Sequence, residues 1–133
     1  SHSQTDVTIV KHTLTIDEPA ALGGTDLGPS PTEPSLAALV ACTNLIGNKC
    51  AAKLGIDIGH AKIDASCEFD RRGVTLAEEI DVPFLAVTLN VYCDGPANEA
   101  ELVSVGAETA KFCPVAKLYT AAGTKLEVNW LKA

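Results

Sequence analysis

No stretch of this chain stays apolar for the roughly 18 residues that a membrane helix needs, so it is not expected to span a bilayer. No secretory signal pattern opens it, and Ser1-His2 reads as a cloning remnant of no weight. Positive charge is scarce: 10 Lys and Arg stand against 17 Asp and Glu, a formal net charge of −7. A nucleic-acid partner, which requires a basic footprint, is therefore not expected. The five cysteines include no Cys-x-x-Cys pair and no histidine stands at zinc-ligand spacing, so no metal and no cofactor is expected. There is also no glycine-rich phosphate loop, no Gly-x-Ser-x-Gly elbow, no carboxylate pair at suggestive spacing and no internal repeat.

What is present is an ordinary globular composition, 133 residues with 47% hydrophobic and 20% charged. It points to a single domain over residues 1–133 with one core. An odd number of scattered cysteines fits free thiols in a reducing cytoplasm better than a secreted disulfide framework.

The chain is organised around residues 28–54. A glycine and proline loop gives way to seven consecutive apolar residues, Leu36 to Cys42. The spacing of Ser30 and Glu33 fits a capping box, and Pro31 and Pro34 are tolerated in a first helical turn. The pattern continues to about Leu54, where Gly55 stops it, giving a helix on the order of 30 Å long. Apolar all round at its start, it is expected to be buried as a central helix.

Val7 and Ile9, then Leu14 and Ile16, alternate with polar neighbours and predict strands over residues 5–17 with a bend at Lys11-His12. A loop rich in glycine and proline follows. Ala61 to Phe69 alternates cleanly, a half-buried strand ending at the Asp70-Arg71-Arg72-Gly73 turn. Residues 74–82 fit either a short helix or a loop. Leu85, Val87, Leu89, Val91 and Cys93 predict a second strand. Asn98 to Phe112 predicts a helix, with Glu99 and Glu101 at its positive end. Pro114 suits the first position of a further short helix, which makes Cys113 its N-cap. Leu126, Val128 and Trp130 mark a last strand. The sum is an α+β arrangement with helices packed on sheet.

Two thiols stand where chemistry is conceivable. At a helix N-terminus, unpaired N–H groups stabilise a thiolate, which favours a lowered pKa for Cys113. Cys42 lies in apolar surroundings, which raise a thiol pKa unless a cation or donor is close. The residues alone leave core packing and chemistry both open for this pair. Cys67 and Cys93 fall in the inward register of their strands and Cys50 on a helix face similar to that of Cys42, which favours plain packing. His12 and His60 read as surface or capping residues, and Arg71 and Arg72 as a solvated turn. Asn44 and Asn48, one turn apart, need partners if buried and hint at a polar pocket or interface.

The run Asp17-Glu18-Pro19 through Gly23-Gly24-Thr25-Asp26-Leu27-Gly28-Pro29-Ser30-Pro31-Thr32-Glu33, leading into Leu36-Ala37-Ala38-Leu39-Val40-Ala41-Cys42, resembles the opening motif of the OsmC/Ohr family. Cys113-Pro114-Val115-Ala116 resembles its second motif. The resemblance implies an OsmC-like fold, with a long central helix packed on an antiparallel sheet. It also implies an intertwined homodimer that shares strands and carries two sites at the subunit interface. The implied activity is that of a thiol-dependent peroxidase. Cys42 attacks the O–O bond of an organic hydroperoxide and becomes a sulfenic acid, and Cys113 condenses with it to a disulfide. An external dithiol, lipoyl-type or similar, then restores both thiols.

Glu33 is the third site residue that the resemblance implies. In the family's hydroperoxide reductases a glutamate ahead of the first cysteine ties down an arginine from the N-terminal strands. Here the only arginines are Arg71 and Arg72, beyond the central helix, which resembles the less characterised OsmC-like branch. Lys11 and Lys53 are the candidate substitutes. The same fold accommodates two other functions: a non-catalytic protein that binds a small apolar ligand, and a redox sensor oxidised without efficient turnover. A site with no cation within roughly 6 Å of the Cys42 sulfur favours the binding protein.

Overall fold

The computed structural model describes residues 2–133; Ser1 lies outside the described residues. The chain forms two compact units that meet in sequence at Ala38 and Leu39.

In the N-terminal unit, β1 (Thr5–Ile9) and β2 (His12–Ile16) form an antiparallel hairpin with Ile9 opposite His12. The turn therefore falls on Val10 and Lys11, one residue ahead of the expected bend, and Val10 takes a left-handed φ of 56°. The loop that follows is wound around one carboxylate. Asp17 accepts hydrogen bonds from the N–H groups of Glu18 (2.8 Å), Thr25 (3.3 Å) and Leu27 (3.3 Å) and from the Thr25 hydroxyl. Its side chain is fully occluded, and its own N–H donates to the Pro29 carbonyl at 3.0 Å. The Thr25 hydroxyl, with the loop's N–H groups, lowers the Asp17 pKa from the ordinary 3.8 to about 2, against the opposing effect of burial.

The helix α1 (Thr32–Leu54) begins one residue later than the Ser30–Glu33 capping box predicts. The Ser30 hydroxyl donates to Glu33 Oε1 at 2.9 Å and the Glu33 N–H to the Ser30 carbonyl at 3.0 Å. The two side chains thus close on each other instead of exchanging backbone bonds. At the far end Gly55 takes a φ of 69°, a conformation that stops a helix at little cost only when the residue is glycine.

In the C-terminal unit α1 buries Leu39, Thr43, Gly47, Cys50 and Ala51, one stripe of its surface. Ala41, Leu45 and Ala52 on the other side are exposed, Leu45 by 57%, so burial all round does not hold within one chain. Beneath lies a three-stranded sheet. β3 (Ala61–Phe69) runs antiparallel to β4 (Phe84–Cys93), as expected. β5 (Lys125–Lys132) lies on the other side of β4 and runs parallel to it, so the sheet is mixed. The reason is the connection: α2 (Glu99–Phe112) and α3 (Pro114–Ala121) form a helical crossover, which is what a parallel neighbour requires.

Residues 74–82 make turns with no helix, and Arg72 pins this segment by binding Asp70 at 2.7 Å and Glu78 at 2.9 Å. That is a more specific task than the solvated turn the sequence suggests. α2 opens on a reciprocal capping box: Asn98 Oδ1 accepts from the Glu101 N–H (2.8 Å) and Glu101 Oε1 from the Asn98 N–H (3.0 Å).

The inward register of β4 is the predicted one from Val87 on, with Val87, Leu89, Val91 and Cys93 all buried, whereas Leu85 at the strand's start is exposed. Val91 and Cys93 pack in one cluster with Ala51, Leu102, Val105 and Trp130. Trp130 is where the helices land. A Cβ on Gly47 would run into its benzo ring, and a Cβ on Gly106 into its pyrrole ring. Both α1 and α2 therefore approach the indole through residues with no side chain, and this close packing sets α1 against the α2–α3 junction.

Candidate active site

Cys113 sits between two helices, ending α2 and capping α3. Its N–H donates back to the Thr109 carbonyl at 3.0 Å, and its sulfur accepts from the Ala116 N–H at 3.4 Å. Pro114 at the first helical position has no N–H to satisfy and fixes this geometry. The cap is the predicted one, but its effect on the thiol is not. Cys113 is only 1% exposed, and burial pushes its pKa up. The Ala116 N–H pulls it down, while a side-chain hydrogen bond with Cys42 and the charge Cys42 carries when ionised push it up again. Desolvation outweighs the helix terminus here.

The two predicted cysteines are thus neighbours, near enough for Cys42 to act on the Cys113 thiol. Cys42 lies on the flank of α1, half-buried, beside the buried Thr43. A cavity of about 270 Å³ opens next to the pair, lined by Thr43, Thr109, Cys113, Leu126 and Trp130 among others. The Thr43 and Thr109 hydroxyls donate to the carbonyls of Leu39 (2.8 Å) and Val105 (2.7 Å) within their own helices. Their protons are therefore committed, and what remains for a guest is acceptor lone pairs. Trp130 Nε1 is buried with no partner among the described residues.

The other candidates divide clearly. Glu33 belongs to the N-terminal unit, where its Oε1 takes the Ser30 hydroxyl. Lys53, one of the two candidate cations, is held by Glu108 at 2.9 Å and lies over the Phe112 ring, 5.1 Å from its centroid. Lys11 is at the hairpin turn of the N-terminal unit. Asn48 donates to the Asn44 carbonyl (2.8 Å) and side chain (3.1 Å) on an exposed face, so the pair answers its own polar needs. Cys50 and Cys93 are buried and Cys67 is half-buried. Burial raises the Cys67 and Cys93 pKa values, helped by Glu68 and Asp94, in keeping with inert packing. Among the described residues no group of three or more His, Cys, Asp and Glu side chains is placed to hold a metal ion. Among them too, no helix is long and apolar enough to cross a membrane.

Helices laid over a mixed sheet, with two neighbouring thiols on α1 and at the α2–α3 junction, define a class of paired-thiol α+β proteins. The family model described as OsmC-like protein matches residues 24–129, and the chain belongs to that family. Its fold is similar to that of an OsmC-like protein from Mycoplasma pneumoniae, with a TM-score of 0.81 at 19% identity, covering 98% of this chain and 89% of that one. It is also similar to the organic hydroperoxide resistance protein OhrB of Bacillus subtilis, with a TM-score of 0.65 at 20% identity, covering 95% and 94%. An organic hydroperoxide resistance protein OsmC from Legionella pneumophila matches with a TM-score of 0.70 at 16% identity, covering 92% and 82%. At these identities the likeness is one of fold. No curated protein matches the sequence.

Proposed function

We propose that the protein is a cytoplasmic, homodimeric thiol-dependent peroxidase that reduces organic hydroperoxides, with Cys42 as the attacking and Cys113 as the resolving residue. The observation that carries this is the proximity of the two thiols, close enough that Cys42 raises the Cys113 pKa. In the first step the Cys42 thiolate attacks the terminal oxygen of the hydroperoxide. The O–O bond breaks, the alkoxide leaves and takes up a proton as the alcohol, and Cys42 becomes a sulfenic acid. In the second, the Cys113 sulfur attacks the Cys42 sulfur, its proton and the sulfenic hydroxyl leave as water, and a disulfide forms. An external dithiol, lipoyl-type or similar, returns two electrons through two successive exchanges and leaves as its own disulfide. Glu33 enters as the supporting carboxylate on the family resemblance.

The dimer has physical support in two places. Ala41, Leu45 and Ala52 leave apolar surface open on α1 in the single chain, beside the exposed Asn44 and Asn48. The β1–β2 hairpin leaves Ile9 and Leu14 about half exposed, and a two-stranded hairpin is marginal in water without cover. A second copy of the chain supplies that cover.

The test is a peptide map of the reduced protein after one equivalent of an organic hydroperoxide, with wild type and Cys42→Ser compared. A rapid Cys42–Cys113 disulfide in wild type, absent from the variant, is expected. If both thiols stay reduced, the peroxidase is wrong, and the cavity of about 270 Å³ beside Cys113 then favours a small-ligand-binding protein.

A further inference from the structure

The stripe of α1 that carries Cys42 meets the last turn of α2 at two points. Lys53 stands about three turns beyond Cys42, roughly 16 Å along the helix axis and at nearly the same rotation, so both side chains leave one face of α1. On α2, Glu108, Lys111 and Phe112 share a face, and Cys113 follows directly. At one end of the α1 stripe Cys42 is the neighbour of Cys113. At the other, Lys53 Nζ donates to Glu108 Oε1 at 2.9 Å and lies 5.1 Å from the centroid of the Phe112 ring. The end of α2 is thus held against α1 on both sides of its last turn.

An ion pair between two solvated side chains contributes little. This one differs in its carboxylate. The Glu108 side chain is only 16% exposed, and it takes Lys53 on one oxygen and Lys111 on the other, at 3.1 Å. The two ammonium groups, Lys53 foremost, hold its pKa below the usual carboxylate range. Their mechanical roles are unequal. Lys111 belongs to α2 itself, one turn from Glu108, and fastens nothing to that helix from outside. Lys53 comes from α1, and its charge also faces the ring that immediately precedes Cys113. Gly47 and Gly106 on Trp130 fix how near the helices lie, while Lys53 fixes where along α1 the last turn of α2 stops.

We propose that Lys53 and Glu108 are positioning residues for the thiol pair, an inter-helix clamp that holds Cys113 at the place along α1 where Cys42 stands. Both act through Phe112 and the backbone of α2, not on the sulfurs. The placement of the thiols is a property of the folded chain and needs no peroxide. Its consequence, rapid capture of the Cys42 sulfenic acid by Cys113, rests on the peroxidase proposed above.

Two measurements separate these claims. In the first, the protein is equilibrated in glutathione buffers of graded composition, alkylated and mapped by mass. Glutathione disulfide takes two electrons and two protons from Cys42 and Cys113 and leaves as two glutathione molecules, so no peroxide enters. Lys53→Gln and Glu108→Gln are each expected to lower the equilibrium constant for the Cys42–Cys113 disulfide about fivefold, and Lys53→Arg to keep it. Lys111→Gln takes a cation from the same carboxylate but leaves the inter-helix contact, and is expected to match wild type. A field acting on the thiols from a distance would shift Lys53→Gln and Glu108→Gln in opposite directions, since their charge changes are opposite. The double variant should lose no more than either single one. Opposite shifts, or equal losses in Lys53→Gln and Lys111→Gln, overturn the proposal. In the second, the disulfide is timed after one equivalent of an organic hydroperoxide. Lys53→Gln is expected to slow the disulfide step while Cys42 is consumed at the wild-type rate, and an unchanged disulfide step overturns the kinetic role. If Cys42 survives the peroxide, the peroxidase fails while the glutathione equilibria still decide the clamp.

Discussion

Gly47→Ala is the sharpest test of the packing that brings the thiols together. Within a helix, alanine is more stable than glycine by about 1 kcal/mol, so local propensity predicts a gain. Tertiary packing predicts the reverse. The new methyl would overlap the benzo ring of Trp130, which is 8% exposed and is hemmed on its pyrrole side by Gly106. The ring has little room to swing, and overpacking of this kind costs about 1–3 kcal/mol. The expected balance is a net loss of about 1–2 kcal/mol, read from urea unfolding at fixed protein concentration. Trp130→Leu removes the ring that Gly47 meets. In that background the same substitution should be neutral or stabilising, giving a clear coupling energy in the double-mutant cycle. If Gly47→Ala stabilises the wild type by the helix-propensity amount, α1 does not rest on Trp130 as described.

Three further outcomes are expected. Asp17→Asn should lower the melting temperature most near neutral pH. The folded pKa of Asp17, about 2, lies below its ordinary 3.8, so the stabilisation is full above pH 3.8 and is lost as pH falls through 2. Melts of wild type and variant across that window should converge. Asn98→Ala removes one bond of the α2 capping box and should cost about 1 kcal/mol in urea unfolding, with Asn98→Ser largely neutral. Cys42→Ala removes both the hydrogen-bond partner and the neighbouring charge, so Cys113 should titrate at lower pH than in wild type, followed by its Cβ NMR shift.

What the sequence conveyed well is what depends on near neighbours. Pro114 after Cys113 is enough to place a cap, and Val87, Leu89, Val91 and Cys93 mark the inward register of β4 because a strand face repeats every second residue. The Asn98–Glu101 box depends on near neighbours too, since Asn98 stands three residues ahead of Glu101, although the helix dipole alone accounts for Glu99 and Glu101. Asp17 is visible as part of a motif, yet its role depends on Thr25 and Leu27 folding back onto it. The direction of β5 depends on the path of α2 and α3, which hydrophobic periodicity does not encode. Gly47, Gly106 and Trp130 are far apart in the chain and carry no shared pattern, so the contact that seats both helices appears only in three dimensions.

The pKa of Cys113 shows why position in a helix did not decide its chemistry. A cap position supplies one favourable N–H, from Ala116, but the same packing that delivers it removes water from the sulfur. The balance raises the Cys113 pKa and keeps the thiol protonated, which suits the second-acting role proposed for it. Two of the influences that raise its pKa come from Cys42 itself, the hydrogen bond and the charge. Oxidation of Cys42 to a neutral sulfenic acid removes that charge, while the Ala116 N–H stays in place. On the proposed mechanism, the Cys113 thiolate therefore becomes easier to form once Cys42 has reacted. A pair of thiols with equal environments would have no such order, and the burial of Cys113 against the half-open Cys42 supports the order proposed.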